Sequence, residues 1–383
     1  MKKIKLGDAC EILNGFAFKS ENYVGSGIRV IRISNVQKGY IEDNTPAFYP
    51  LETKGLEKYM LEEGDLLISL TGNVGRVAIL EKEFMPAALN QRVACLRLKT
   101  DKLSKRYLFH ILNSDFFEKQ CIQYSKGVAQ KNMSTAWLKD YEILLYSKEQ
   151  QELIADILDK MHLIKKLRYY ELQKLDELVK ARFVEMFGDP NIEFKYSSVK
   201  FNDLVARMTK GPFGSDMKKD LFVPKGEDTY KVYIQINAIQ KNQSLGEYYI
   251  SKEYFDRKVS RFELFPNDYI ITCDGTLGKY LKLDENMEKG VISPSLLRLT
   301  LQNDKINDKY FENIWDFYML GLMKKEARNA CLVHLPSAKK IGEISIPVPP
   351  LELQNQFASF VQEIDKSRLL SNQSLFLIKS IIF

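Results

Sequence analysis

Two glycine-rich turns carry residue types that could bind a phosphate group. The stretch GDLLISLTGNVGRVAIL begins at Gly64 and NDYIITCDGTLGKYLKL begins at Asn267, and in each an apolar strand runs into a glycine turn that ends in Arg76 or Lys279. Glycine permits positive φ and close backbone approach, and backbone amides are common phosphate contacts. A tight hairpin or a barrel corner needs the same glycines, so a structural turn and a phosphate-binding loop both remain open.

The two turns belong to a repeat that covers most of the chain. Gly72 and Gly275 lie 203 positions apart, and the second glycine of each turn keeps that spacing. The same spacing aligns RISNVQK with QINAIQK and holds without a gap from about residue 32 to about residue 158. Nearer the N-terminus IKLGDA resembles VKFNDL at a spacing of 195, so the second copy carries a short insertion. Identity at a constant spacing over this distance indicates an internal duplication.

Motifs for nucleotide binding and catalysis are missing from the sequence. It contains no GxxxxGK[ST] loop, no GxGxxG fingerprint and no Gly-x-Ser-x-Gly elbow. An amino-methyltransferase would need an Asn/Asp-Pro-Pro-aromatic motif, whereas VPPL is typical of a strand terminus. The three histidines have no ligand spacing with each other or with a cysteine, so no metal site is predicted. We therefore predict a chain without catalytic groups of its own.

Composition is that of a reduced, two-domain globular protein. The chain has 383 residues, 45% of them hydrophobic and 28% charged, which suits two domains with separate cores. A formal charge of +6 permits a polyanionic partner without demanding one. Five scattered cysteines without a CxxC pair predict buried thiols in the cytoplasm. The sequence has no secretory signal and no run of 18 apolar residues, so no membrane association is predicted.

Each copy has the same order of predicted elements. Strand-like alternation is visible in IRVIRISNV, DLLISL and YKVYIQINAI. One helix is predicted at KRYLFHILNSDFFEKQCIQY, with its counterpart at DKYFENIWDFYMLGLMKKEA. A short terminal strand follows in each copy, YEILLY or EISIPVPP. The fold class is therefore α+β, with two similar mixed α/β domains.

A long amphipathic helix follows each of these domains. Residues 149–187 contain neither proline nor glycine, and their apolar residues recur every three or four positions. A helix of that size is roughly 55–60 Å long and needs a partner for its stripe. We predict an antiparallel coiled coil of the two helices that separates the domains and inverts one relative to the other. The predicted boundaries are 1–148 and 189–350 for the domains and 149–188 and 351–383 for the helices. The predicted coiled-coil residues are Ile154, Ile157, Met161, Ile164, Leu175, Phe357, Val361, Ile364 and Leu375.

The order of these segments resembles a known family. GDLLISLTGNVG, NQRVACLRL and EQQELIADILDKM, in a duplicated chain with two long helices, are similar to the specificity (S) subunit of type I restriction–modification enzymes. The resemblance implies that each domain is a target recognition domain that reads one half of a split sequence in double-stranded DNA. It implies that the helices set the spacer and bind two methyltransferase (M) subunits, which hold the S-adenosylmethionine, while this chain binds no cofactor directly. In that family restriction (R) subunits are further partners.

Such a reader needs side chains that reach base edges, with Arg or Lys suited to guanine and Asn or Gln to adenine. The loop SKGVAQKN is the strongest candidate in the first domain, since its counterpart ARNACLVH differs completely. The predicted DNA-binding residues of the first domain are Lys19, Asn35, Gln37, Lys38, Asn73, Arg76, Lys126, Gln130, Lys131 and Asn132. Those of the second domain are Lys210, Lys218, Lys219, Asn237, Gln240, Lys241, Arg257, Arg261, Lys279, Arg328, Asn329 and His334.

Two other classes of protein stay open on the residues alone. One is a nucleic-acid-binding scaffold outside restriction that dimerises through its coiled coil. The other is a self-contained nuclease or methyltransferase, against which the missing motifs count. Co-purification with two methyltransferase subunits distinguishes the specificity subunit from the scaffold.

Overall fold

A computed structural model describes residues 2–125, 132–241, 246–328 and 334–382. The chain divides into two compact units. The first unit comprises Met1–Tyr170 with Asn372–Phe383, and the second comprises Glu171–Ser371.

Short strands and helices alternate in the first unit. Its strands are β1 (Lys3–Lys5), β2 (Cys10–Asn14), β3 (Ile28–Ile31), β4 (Phe48–Tyr49), β5 (Leu66–Ser69), β6 (Val77–Ile79), β7 (Ala87–Leu89), β8 (Val93–Leu98) and β9 (Glu142–Leu144). Its helices before residue 148 are α1 (Leu6–Ala9), α2 (Lys105–Leu112), α3 (Asp115–Tyr124) and α4 (Thr135–Asp140).

These strands form three small sheets. β1 pairs with β9, a four-stranded antiparallel sheet has the order β2-β8-β5-β6, and a three-stranded sheet has the order β4-β3-β7. Side chains alternate between the faces of a strand, so Leu66 and Ile68 face the core that contains α2 and α3, while Leu67 packs in a different core cluster. Tyr107 and Phe117 bring the two helices into the first of these cores.

The second unit repeats this architecture. Its strands are β10 (Ser198–Lys200), β11 (Val205–Lys210), β12 (Thr229–Tyr233), β13 (Tyr248–Ser251), β14 (Glu263–Leu264), β15 (Tyr269–Thr272), β16 (Tyr280–Lys282), β17 (Gly290–Ile292), β18 (Leu296–Leu301) and β19 (Ser345–Pro347). Apart from the long helices, its helices are α6 (Gln235–Ala238), α7 (Lys252–Tyr254), α8 (Asp308–Ile314), α9 (Leu320–Arg328) and α10 (Ala338–Gly342). The sheets are β10-β19, β11-β18-β15-β16 and β13-β12-β17-β14.

Two structural features confirm the predicted repeat at atomic detail. The Tyr107 hydroxyl donates to the Leu144 carbonyl at 3.0 Å, and the Tyr310 hydroxyl, 203 positions later, donates to the Pro347 carbonyl at 2.7 Å. In each case the tyrosine ties the helix after the four-stranded sheet to the terminal strand. That strand was predicted in both copies and is found as β9 and β19.

Other predicted elements differ from the structure. The helix predicted at residues 105–124 is two helices, because the Ser114 hydroxyl accepts from the Phe117 N–H and so begins α3 as a new helix. Its counterpart continues from α8 through a π-helical segment, Trp315–Met319, into α9. The predicted strand at YKVYIQINAI ends at Tyr233, and the QINA segment is the short helix α6.

The long helices are present as α5 (Lys148–Phe187) and α11 (Leu351–Ile382). Within the second unit they run antiparallel. Phe183 lies 5.6 Å from Phe357 between ring centroids, and further along α11 Arg368 donates to Asp176 at 2.6 Å. The contacts therefore move backward along α5 as they move forward along α11.

Burial differs along the predicted coiled-coil stripe. Phe357, Val361 and Leu375 are buried, whereas Ile154, Met161, Leu175 and Ile364 are half-buried. The prediction is wrong for two residues of the first unit. Ile157 and Ile164 are 49% and 44% exposed, so they lack the buried environment that a coiled-coil seam gives its apolar residues.

The four described cysteines are Cys10, Cys95, Cys121 and Cys273; all are buried and unpaired, as predicted. Burial raises the pKa of the Cys10, Cys121 and Cys273 thiols to about 12, so they stay protonated at neutral pH. None of the described helices combines the length and apolar character that a membrane crossing requires.

Candidate nucleic-acid interface

The first glycine turn is the loop of a hairpin between the antiparallel strands β5 and β6. Gly72 and Gly75 have φ of 67° and 82°, a backbone region that favours glycine. The Gly75 N–H donates to the Ser69 carbonyl at 3.0 Å, and the Arg76 N–H donates to the Ser69 hydroxyl at 3.0 Å. Polar groups at the end of β5 therefore define the path of the turn.

The second glycine turn, between β15 and β16, repeats this geometry. Gly275 and Gly278 have φ of 67° and 74°. The Gly278 N–H donates to the Thr272 carbonyl at 2.9 Å, and the Lys279 N–H donates to the Thr272 hydroxyl at 3.0 Å. The hairpin interpretation of both turns is confirmed. Phosphate contact by the same loops stays a prediction.

Strand pairing gathers three loops at the same edge of each four-stranded sheet. In the first unit Asn14 pairs with Ala94 and Ser69 pairs with Val93. The end of β2, the end of β5 and the start of β8 therefore lie together. In the second unit the register of β11, β15 and β18 gives the same arrangement. We call this end of the sheet, together with its three loops, the glycine edge. In the first unit the loops are 15–19, 70–76 and 90–92, and in the second unit they are 211–222, 273–279 and 293–295.

Several predicted residues of the first unit meet at the glycine edge. The Arg76 guanidinium donates to the Gln37 side-chain oxygen, and Asn132 forms a β-bridge with Thr71 of the turn. Asn73 is exposed at the tip of the turn.

Two other predicted cations of the first unit have carboxylate partners. Lys38 contacts Asp115 and Glu118, the latter at 2.8 Å. The Lys19 ammonium lies 3.8 Å from Glu21, and its backbone N–H donates to the Tyr49 hydroxyl at 2.8 Å. Both side chains remain exposed.

Asn35 does not have the predicted placement. Only 2% of the residue is exposed, and its side-chain oxygen accepts from the Arg32 N–H at 2.8 Å. Its amide donates to the Glu42 carbonyl at 2.9 Å and to Asp43 at 2.8 Å. A side chain with its oxygen and its amide bonded internally holds the loop in shape, so Asn35 has no accessible group for a base.

The predicted residues of the second unit are spread more widely. His334 pairs in a β-bridge with Asp274, and its Nδ1 lies 2.5 Å from the Asp274 carboxylate, beside Gly275. Lys279 is exposed at the end of the turn. Lys210, Lys218, Lys219, Gln240 and Lys241 are exposed too.

Three predicted residues of this unit have internal contacts. The Asn237 amide donates to the Gly246 carbonyl. The Arg257 guanidinium lies 3.8 Å from Glu253, and that of Arg261 lies 4.6 Å from the Phe262 ring centroid. Lys126, Gln130, Lys131 and Asn329 lie outside the described residues, as does the side chain of Arg328.

Sequence reasoning missed two exposed polar residues at the glycine edge. Gln91 and Arg92 precede β8, and the Arg92 carbonyl accepts from the Leu70 N–H at 2.9 Å. In the second unit Pro294 and Ser295 align with them, and Ser293, which aligns with Asn90, is only 4% exposed. The signal was the polar triplet NQR between two apolar strands.

A groove of about 810 Å³ opens beside the second glycine turn. It is lined by residues of the turn, by Ile239, and by Asp316, Leu320 and Lys324. Burial raises the pKa of the Asp316 carboxyl, and a hydrogen bond from the Tyr280 hydroxyl at 3.2 Å opposes that shift. Among the described residues no group of three His, Cys, Asp or Glu side chains could hold a metal ion.

Sequence comparison finds specificity subunits of type I restriction enzymes among the relatives of this chain. The type I restriction enzyme MjaVIII specificity subunit of Methanocaldococcus jannaschii is 28% identical over 184 residues, which span 46% of this chain and 43% of that protein, less than half its length. The type I restriction enzyme EcoBI specificity subunit of Escherichia coli is 23% identical over 401 residues, covering 94% of this chain and 78% of that protein.

Two solved structures share the fold over 100% of this chain. A type I restriction–modification S subunit from M. genitalium has a TM-score of 0.56 at 14% identity, with 93% of that chain covered. A chain from a study of complex assembly and conformational transition of the type I R-M system has a TM-score of 0.62 at 14% identity, with 95% covered. At this identity the likeness establishes the fold alone.

A family profile covers most of the chain. The profile described as "Type I restriction modification DNA specificity domain" matches residues 1–176 and 214–379, and these two segments correspond to the two copies of the internal repeat. The chain therefore belongs to the family of type I restriction–modification DNA specificity domains, of which it carries two copies.

Proposed function

We propose that this chain is the sequence-specific DNA-recognition subunit of a type I restriction–modification enzyme and acts in the cytoplasm. Each unit reads one half of a bipartite target. One observation carries the proposal: the two units share a scaffold, down to matching hydrogen bonds in the glycine turns, yet present different side chains at the glycine edge. A protein that reads two different half-sites needs a shared scaffold with different side chains on its two reading surfaces.

The chemistry at each glycine edge suits the grooves of DNA. Cations and backbone amides fix a protein on the phosphates, while side chains that reach base edges provide specificity. In the first unit Arg92 and Gln91 are such side chains, with Arg76 beside the turn. In the second unit Lys279 is the cation that corresponds to Arg76, and Lys210 is a further cation at the end of β11.

The long helices set the distance between half-sites and bind the methyltransferase subunits. Support comes from α5, where Leu153, Ile157 and Leu167 are 60%, 49% and 55% exposed. Exposed apolar side chains that recur along one helix are typical of a protein–protein interface. The chain is non-catalytic in this proposal: methyl transfer from S-adenosylmethionine occurs in two partner M subunits, and restriction subunits join that assembly.

Modified-base sequencing tests the proposal. Genomic DNA from a strain with this chain should carry methylation at one bipartite motif, and deletion of the chain alone should abolish it. The reintroduced chain should restore the motif and should co-purify with methyltransferase in a ratio of one to two. Methylation that persists without the chain, or methylation or cleavage of DNA by the purified chain alone, would contradict the proposal.

A further inference from the structure

We propose that Phe213 stacks on, or inserts between, bases of the half-site bound by the second unit. This inference rests on the proposed function and names a residue that acts through base stacking. Phe213 belongs to the loop 211–222 of the glycine edge, and 77% of the residue is exposed. The preceding Pro212 is buried and the following Gly214 is exposed, so the chain passes from the interior to the surface at Phe213, which we call the tip of the loop.

The base of the loop is fixed against the sheet. The Gly211 N–H donates to the Leu296 carbonyl at 2.8 Å. A Cβ atom at Gly211 would lie 2.0 Å from the Ser293 carbonyl oxygen, so only glycine allows this approach. Phe213 therefore lies two residues after Gly211, where the backbone is fixed against the sheet.

The far side of the tip is held as well. The Asp216 N–H donates to the Phe213 carbonyl at 2.9 Å, which closes a tight turn. The Asp216 carbonyl accepts from the Tyr254 hydroxyl at 3.1 Å, and its carboxylate lies 3.5 Å from the Lys258 ammonium. The contacts of Gly211 and Asp216 anchor the loop on both sides of Phe213, and the ring between them is exposed to solvent.

The equivalent segment of the first unit turns its aromatic side chains inward. Gly15 occupies the place of Gly211, since its Cβ would lie 2.2 Å from the backbone of Asn90. The rings of Phe16 and Phe18, which follow, meet edge to face at 5.0 Å and belong to an aromatic cluster with Tyr49 and Tyr59. Phe213 has no ring contact of this kind among the described residues.

Exposed cations near Phe213 suit a nucleic acid. Lys210 ends β11, and Lys218 and Lys219 follow the tip of the loop; all three are exposed and form no ion pair with another described residue. An exposed aromatic ring beside such cations matches the stacking sites of nucleic-acid-binding proteins, where the ring contacts a base and the cations contact phosphates. This charge complementarity selects DNA as the partner of the loop.

The test uses the chain assembled with its methyltransferase subunits. The DNA probe is a duplex with the motif returned by modified-base sequencing, in which 2-aminopurine replaces one base of the second half-site at a time. Unstacking by the ring should raise the fluorescence at one position. Phe213→Ala should remove that rise and weaken binding by about ten- to a hundredfold, whereas Phe213→Trp should keep both.

Phe265→Ala is the matched control. Phe265 is 43% exposed and lies before β15, at the end of the strand away from the glycine edge, so its loss should leave DNA affinity within about twofold. Specific binding of Phe213→Ala within twofold of the unaltered complex, with the fluorescence rise retained, would overturn the stacking proposal and leave the proposed function intact. Loss of co-purification with methyltransferase would overturn it in favour of a protein contact. Failure of the unaltered complex to bind the motif would overturn both.

Discussion

The two units are alike where they are buried and unlike where they are exposed. Gln151 and Gln354 are both fully buried at the start of the long helices, 203 positions apart. The Gln151 oxygen accepts from the Ser104 N–H at 2.7 Å, and the Gln354 oxygen accepts from the Asn307 N–H at 2.8 Å. In each unit the amide donates to two backbone carbonyls, again at equivalent positions.

At the glycine edge the same comparison gives differences. Exposed Gln91 and Arg92 align with Pro294 and Ser295. Lys38 forms ion pairs with Asp115 and Glu118, whereas the residues at the positions of these two acids in the second unit are Tyr318 and Gly321. A buried polar group left without its partner costs far more free energy than a changed exposed one. Duplication followed by change therefore preserves the interior network and lets the edge diverge, as two half-sites would require.

The largest effect should come from the shared interior. Gln151→Ala and Gln354→Ala each leave an N–H and two carbonyls unbonded, and each should lower the free energy of unfolding by roughly 2–4 kcal/mol. Urea denaturation measures the loss, and hydrogen exchange at the Ser104 or Asn307 amide locates it. Gln356→Ala, on the exposed side of α11, is the control and should cost under about 0.5 kcal/mol. A large cost in one unit only would show that the scaffolds are not equivalent.

The next effect concerns the first glycine edge. Arg92→Ala should remove about 1–3 kcal/mol of discrimination at one base pair, so modified-base sequencing should return a motif degenerate at one position of one half-site. The other half-site should be unchanged. Lys82→Ala, exposed beyond the far end of β6, is the control. An unaltered motif in the Arg92 variant would remove this residue from the interface.

A smaller loss of stability, equal in the two units, should follow from substitution of the first glycine of each turn. Gly72 and Gly275 both have φ of 67°, and a Cβ at either meets no atom closer than 3.8 Å. Alanine there adds only backbone strain, so each substitution should cost roughly 1–2 kcal/mol in thermal denaturation. Asparagine, which tolerates this conformation better, should cost less. Costs that differ between the two glycines by more than about 1 kcal/mol would contradict the equivalence of the turns.

The smallest effect concerns phosphate contacts in the second unit. Lys218→Ala and Lys219→Ala should weaken DNA binding alike for all sequences and should reduce the slope of log affinity against log salt by about 1 each. Lys200→Ala removes a cation that is paired with Glu343 at 2.7 Å on the β10–β19 sheet, and it is the control. A change in the recognised motif in either variant would instead assign that lysine to a base contact.

Sequence reasoning found the scaffold more completely than the site. The glycine turns, the terminal strands and the long helices were predicted because each leaves a local pattern. The break between α2 and α3 was missed because a serine does not by itself mark the start of a helix. Ser114 begins α3 only because α2 has already ended before it. Asn35 was placed on the surface because a polar loop residue is usually exposed, and its burial depends on Arg32, Glu42 and Asp43.

The sequence by itself determined the duplication, the family and the order of elements, because repeat spacing and hydrophobic periodicity are properties of the chain. Only the tertiary structure decided that three loops distant in sequence share one edge of each sheet, that Arg92 belongs to that edge, and that Phe213 points outward where Phe16 and Phe18 pack inward. Strand register and anchoring contacts decide these placements, and both depend on residues far away along the chain.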